Sequence, residues 1–173
     1  MTTNDHDGGS RRVELRPYAE GDFWILERNN APEQTDHLGG PETPEKLADR
    51  HRRYLDLEPA TGMMFVIEYE GAEVGTIGYW EKEWNGETVF ETGWAILTDH
   101  QGRGLATLAA VALADKAREL RSHRWLHAYP SVDHPASNAI CRKAGFTLLG
   151  EADFEYPKGN PIQVNDWRLD LEA

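Results

Sequence analysis

Three strand-like segments joined by very short turns occupy the middle of the chain, and they limit the fold more than any other feature. Met63 to Tyr69 reads as a strand, and Glu70-Gly71-Ala72 connects it tightly to a second strand, Val74 to Trp80. Trp84-Asn85-Gly86 then carries an Asn-Gly hairpin signal ahead of a third strand, Thr88 to Leu97. Strands joined this closely pair antiparallel, because a parallel pair needs a long crossover connection. Gly75 and Gly78 lie inside the second strand, where glycine predicts a weak point or a bulge.

The flanking sequence supplies the remaining elements. Arg12 to Arg16 alternates like a half-buried strand that Pro17 ends, and Ala19 to Arg28 reads as a short helix. Asp36 to Pro44 is a Gly- and Pro-rich loop. Thr43 can cap the next helix, with Pro44 at its first position and Lys46 to Leu57 as its body. The strongest helical pattern begins near Leu105 and repeats through Leu108, Ala109, Ala112, Leu113 and Leu120. A strand at Trp125 to Tyr129 and a short helix at Pro135 to Lys143 follow, the helix closed by Gly145. Phe146 to Tyr156 and Gln163 to Leu171 are two last strands around a turn at Pro157 to Pro161. The prediction is an α/β (α+β) chain with a mixed, mostly antiparallel sheet of about seven strands and about four helices. Residues 1–11 are expected to be a flexible tail and 12–173 a single domain.

Composition excludes several classes of function. The chain has 30 acidic and 18 basic residues and a net charge of −12. A nucleic-acid binder needs a concentrated basic surface, and Arg118, Arg121 and Arg124 are too thin a stripe. The single cysteine, Cys141, excludes an internal disulfide framework and suits a reducing compartment. Met1 to Ser10 is polar, without the apolar core of a secretory signal, and no apolar run is long enough to span a membrane. His123 and His127 have no third ligand at a recognisable spacing, so no metal is expected. The expectation is a cytoplasmic protein with neither nucleic-acid nor membrane partners.

The chemistry-bearing segment lies between the third meander strand and the long helix. Gln101-Gly102-Arg103-Gly104 enters that helix directly. First-turn amides have no backbone partner and sit at the positive end of the helix dipole. Glycines let a ligand approach the backbone, and Arg103 adds a full charge, so phosphate or pyrophosphate is the natural occupant. A P-loop would need Gly-Lys-Ser/Thr, which is absent. A dinucleotide fingerprint fails at Thr107, where glycine or alanine belongs.

Gln101 to Ala106 fits the pattern [QR]-x-x-G-x-[GA], which resembles the acetyl-CoA pyrophosphate loop of the GNAT N-acetyltransferase superfamily. Ser137 to Phe146 is similar to the S-x-x-V-x-x-K-x-G-F stretch of the branch that acetylates ribosomal-protein N-termini. The resemblance implies a sheet with a splayed central strand pair and acetyl-CoA as co-substrate. It implies that Trp94, Ala95 and Ile96 offer backbone groups to the pantetheine arm. It further implies that Gly102, Arg103, Gly104, Leu105, Ala106 and Thr107 wrap the pyrophosphate, and that Ser137 and Asn138 sit near the thiol. His134 stands where the family usually has an asparagine that contacts the pantetheine, and a histidine can still donate one hydrogen bond there; Cys141 stands where many relatives have a tyrosine acid.

Amine acetylation needs a base for the amine, polarisation of the thioester carbonyl and a proton for the thiolate. Glu91 is the first candidate base, His127 the second, and Cys141 the candidate acid. Trp80, Trp84 and Trp94, with Glu81, Glu83, Glu87 and Glu91, fit either an amine-accepting pocket or a Trp-rich core under a solvated acidic hairpin. Two functions remain open. One is an acetyl-CoA-dependent N-acetyltransferase acting on a primary amine, such as a protein N-terminus or a small molecule, by direct attack in a ternary complex. The other is a non-catalytic acyl-CoA sensor of the same fold. The sequence does not set the oligomeric state, with a homodimer among the options.

Overall fold

A computed structural model describes residues 11–36 and 39–173. The expected tail, apart from Arg11, and part of the Asp36 to Pro44 loop lie outside the described residues. Seven strands form one sheet: β1 (Glu14–Pro17), β2 (Gly62–Tyr69), β3 (Ala72–Trp84), β4 (Glu87–Ile96), β5 (Trp125–Ala128), β6 (Thr147–Glu155) and β7 (Pro161–Asp170). Their spatial order is β1-β2-β3-β4-β5-β7-β6, and β4–β5 is the parallel pair. The helices are α1 (Phe23–Asn29), α2 (Pro32–Thr35), α3 (Pro44–Leu55), α4 (Leu105–Leu120) and α5 (Pro135–Lys143).

The meander forms as its turns dictate. Glu70 and Gly71 both have positive φ, as do Asn85 and Gly86, so each hairpin closes through two left-handed residues whose twist matches the strands. β3 carries a bulge beside Gly75. Opposite Ile67 and Glu68 of β2, β3 steps from Gly75 to Glu73, so Val74 of β3 is the extra residue. Gly75 and Gly78 are required by close approach: a Cβ on Gly75 would lie 2.2 Å from the Ala95 carbonyl oxygen, and one on Gly78 2.7 Å from that of Met63.

Helix ends follow side-chain chemistry. Thr43 Oγ1 accepts from the Lys46 amide ahead of α3, with Pro44 at the first position. α3 stops at Leu55, two residues earlier than its apolar pattern predicts. α5 ends in a Schellman pattern: the Phe146 amide bonds to the Cys141 carbonyl and the Gly145 amide to that of Arg142, with Gly145 at φ +93°.

Two cores lie on opposite faces of the sheet. On one face Leu105, Ala109, Ala110, Leu113 and Ala117 of α4, with Cys141 of α5, pack against Phe65, Ile77, Phe90, Leu126 and Trp167. The small alanines of α4 let it lie close to the strands. On the other face Ile25 and Leu26 of α1 and Leu47 of α3 cover Met64 and Val66, with Trp80 at the margin. That second layer lies on the β1–β4 side and leaves the β5–β7 side for polar and aromatic groups.

Candidate active site

β4 parts from its neighbour midway along its length. Its rungs with β5 are Phe90 opposite Leu126 and Glu91 opposite His127. Beyond them β4 continues to Ile96, bonded to β3 on its other side, while β5 ends at Ala128 and pairs with β7. A fork opens between the two strands. Phe90 and Leu126 point into the core beneath α4 and α5, so strand alternation sends Glu91 and His127 to the opposite face.

The open end of the fork leads to the loop before α4. Gly102 and Gly104 both have φ +75°, and Gly104 precedes the helix with no side-chain cap. Leu105 and Ala106 open the helix, so their first-turn amides have no helical partner. Gln101 Nε2 ties the loop to the Ile96 carbonyl at 3.0 Å and to Gln34 Oε1 at 3.1 Å. Arg103 lies 5.3 Å from the Tyr69 ring centroid and Arg11 lies 5.6 Å from it. Arg11 also donates to the Arg103 carbonyl, so it is held at the loop although the sequence places it in a loose tail. Two guanidinium groups and an uncapped helix start suit an anion.

At the base of the fork Glu91 is half-buried opposite Trp80. Burial pushes its carboxyl above the ordinary carboxylate range, opposed by the Lys82 charge, a hydrogen bond from Trp80 and the nearby His127. His127 is buried, with Nδ1 2.6 Å from Asp166 Oδ1, and Trp84 Nε1 donates to Asp166 Oδ2 at 3.0 Å. A carboxylate only accepts, so the contact places a hydrogen on His127 Nδ1, and in the neutral imidazole Nε2 is then the lone-pair nitrogen. Tyr129 stacks on His127 with centroids 5.6 Å apart, and its buried hydroxyl has no hydrogen-bond partner among the described residues.

The family model of the acetyltransferase (GNAT) domain matches residues 12–147. The chain belongs to the GNAT family. A search of curated proteins returns no match. Solved GNAT structures share the fold. A ribosomal L7/L12 alpha-N-protein acetyltransferase, RimL, solved with coenzyme A, superposes with a TM-score of 0.77 at 23% identity, over 95% of this chain and 97% of that one. Spermidine N-acetyltransferase from Vibrio cholerae, with CoA and spermine, gives 0.75 at 19% identity, over 93% and 96%. An acetyltransferase from Agrobacterium tumefaciens gives 0.73 at 27% identity, over 91% and 90%.

Within this GNAT domain the predicted residues divide into groups. Glu91 and His127 come together, and Trp94, Ala95 and Ile96 line the open arm of β4. Cys141 stands apart: it is wholly buried with Phe90 and Leu126 on the α4–α5 face, where burial pushes its thiol up to about 12. Asn138 spends its hydrogen bonds within the protein. Its Nδ2 donates to the carbonyls of Ser131 and His134, and its Oδ1 accepts from Asn165 and Trp167. Both groups of the amide are therefore committed within the protein. His134 caps α5, its Nδ1 accepting from the Ser137 amide at 3.2 Å, which puts Ser137 in the first turn. His123 bonds to Glu81 rather than converging with His127. Among the described residues no group of three His, Cys, Asp or Glu could hold a metal. No helix there is long and apolar enough to cross a membrane.

The meander tryptophans split between the two readings. Trp94 packs on the core, whereas Trp84 reaches the Asp166–His127 pair, and Glu81, Glu83 and Glu87 are exposed. Sequence reasoning missed Asp166 and Tyr129. Asp166 is a buried carboxylate between the apolar strand neighbours Val164 and Trp167, and that contrast was its one visible signal.

Proposed function

We propose that the chain transfers the acetyl group of acetyl-CoA to a primary amine by direct attack in a ternary complex. The observation that carries this reading is the fork whose base holds Glu91 and His127 side by side. The residues fit the co-substrate at both ends. The amides from Gly102 to Thr107, with Arg103 and Arg11, would hold the pyrophosphate, and the open side of β4 from Trp94 to Ile96 would take the pantetheine as an added strand. Bound there, acetyl-CoA supplies a thioester carbonyl and a thiolate leaving group.

The chain's own groups do the rest. An amine enters as an ammonium and must lose a proton before it attacks. Glu91 takes that proton, and its burial makes it a stronger base than an ordinary carboxylate. His127 Nε2 is a second proton acceptor beside it, with Asp166 placed to stabilise the imidazolium. A β4 backbone amide near Ile96 polarises the carbonyl as the N–C bond forms and the C–S bond breaks. The names of the relatives, which include a spermidine and a protein N-terminal acetyltransferase, favour an amine acceptor.

Calorimetric titration of acetyl-CoA followed by a panel of amines tests the reading. Stoichiometric binding with amine-dependent release of free CoA is expected. Binding without release across the panel would assign the sensor function, and no binding would remove the co-substrate itself.

A further inference from the structure

Beside the Glu91–His127 pair stands a box of three aromatic rings. Trp84 of β3, Tyr129 after β5 and Phe154 of β6 lie with centroids 4.8 Å apart (Trp84–Tyr129), 5.1 Å (Tyr129–Phe154) and 6.1 Å (Trp84–Phe154). One cation already sits on these rings. Lys82 Nζ is 4.4 Å from the Phe154 centroid, 5.6 Å from Trp84 and 5.8 Å from Tyr129. Three ring faces around one ammonium is the arrangement that proteins use to hold alkylammonium ligands.

Three further features say that the box can take more than its own lysine. The buried Tyr129 hydroxyl lacks a hydrogen-bond partner among the described residues, and an ammonium would supply the donor. The Asp166 carboxylate stands beside the box, accepting from Trp84 Nε1 at 3.0 Å. A solvent-open cavity lined by Trp84, Asn85, Gly150, Glu151, Asp153 and Asp166 shares Trp84 with the box. The box is also set back from the reaction. Lys82 pairs with Val89, on the closed side of the fork, whereas the thioester must reach its target on the open side.

We propose that the Trp84–Tyr129–Phe154 box is a second ammonium subsite of the acceptor pocket, that Lys82 fills it in the free protein, and that the acceptor is a small alkyl diammonium. One nitrogen of the acceptor meets Glu91 while the other displaces Lys82 from the rings. The inference rests on the transferase reading and names the substrate class of that site.

The test compares 1,4-diaminobutane with butylamine in the wild type, in Lys82→Met and in Phe154→Leu, by turnover and by calorimetry with CoA present. Lys82→Met removes the resident cation, so the diamine-to-monoamine ratio of kcat/KM should rise at least ten-fold. Phe154→Leu opens the box, and the ratio should fall towards one. Using the ratio cancels any effect on Glu91 that both amines share, and thermal melts confirm that each variant is folded. A ratio in Lys82→Met equal to that of the wild type, with no gain in diamine affinity by calorimetry, overturns the subsite even if butylamine is acetylated. Tighter diamine binding to Lys82→Met without turnover of either amine keeps the subsite and removes the transferase reading.

Discussion

Glu91 stands opposite His127 in the rung where the β4–β5 ladder ends. One strand register therefore puts two proton acceptors on one face, at the point where the strands part. If Glu91 is the base, Glu91→Gln should lower kcat by about 100-fold or more. The sign of the pH effect follows from burial. A raised pKa means that Glu91 gains its proton, and activity is lost, as pH falls through a midpoint above the usual carboxylate value of ~4.3. The pH–rate profile of the variant should lack that acidic limb. An unchanged limb removes Glu91 as the base.

In the proposed mechanism Asp166 acts through His127. Asn at this position can present an amide hydrogen to Nδ1 and stabilise the wrong tautomer, so Asp166→Asn should cut kcat roughly ten-fold or more. The KM for acetyl-CoA should stay close to the wild-type value, because Asp166 faces away from the loop before α4. A change confined to KM would contradict this role.

The loop before α4 gives a binding prediction. Gly104→Asp places a carboxylate where an anion is expected, at a backbone φ of +75°. Acetyl-CoA affinity should fall at least ~100-fold, or about 2.7 kcal/mol by calorimetry. Retained affinity in a folded variant would mean that the phosphates lie elsewhere.

Gly75 supports the open arm of β4 from behind. Gly75→Ala forces its Cβ onto the Ala95 carbonyl, and a backbone atom cannot swing aside. The expected cost is about 1–3 kcal/mol of stability, measured by denaturant unfolding. Acetyl-CoA affinity should weaken with it, since Ala95 belongs to the strand edge that meets the pantetheine.

Asp22 gives a prediction free of the active site. Its carboxylate accepts from Arg16 at 2.8 and 3.0 Å and from the Ala19 amide at 2.8 Å. The Arg16 hydrogen bond holds its pKa below the usual value, against the effect of burial. A folded-state pKa below the unfolded one stabilises above the unfolded pKa of ~3.9, and the gain is lost as pH falls through the folded value. Asp22→Asn should cost about 1–2 kcal/mol at pH 7, since Arg16 is partly exposed and screened. The gap to wild type should close below pH ~4. A gap that stays constant with pH would trace the loss to packing.

Much of the fold was legible because it is encoded locally. Asn85-Gly86 specifies its own hairpin, Thr43-Pro44 its own helix start, and the Pro135 to Lys143 helix has the bounds that its pattern predicts. α2 was missed because four residues carry no periodicity to detect. The bulge at Val74 was legible from its neighbour Gly75, whereas the close contacts of Gly75 and Gly78 with adjacent strands were not. The site was legible where a motif or register position marked it, as for Gly104 and Glu91. It was not legible where partners come from distant segments. His127 and Asp166 are 39 positions apart, and nothing near either names the other. Cys141 was singled out by its place in a motif, and it faces the core.

The brevity of the β4–β5 ladder has a mechanical consequence. Two rungs are the seam between a four-stranded half, β1 to β4, and a three-stranded half, β5 to β7. A ligand laid into the opening would act as a strut, stitching the halves along a line that the chain itself leaves unsewn. Amides of Thr92 to Ile96 on the open side should then exchange slowly with solvent only when acetyl-CoA is bound, and the melting temperature should rise with its concentration. On the proposed mechanism the shortest ladder of the sheet is thus the place where substrate would both react and complete the architecture.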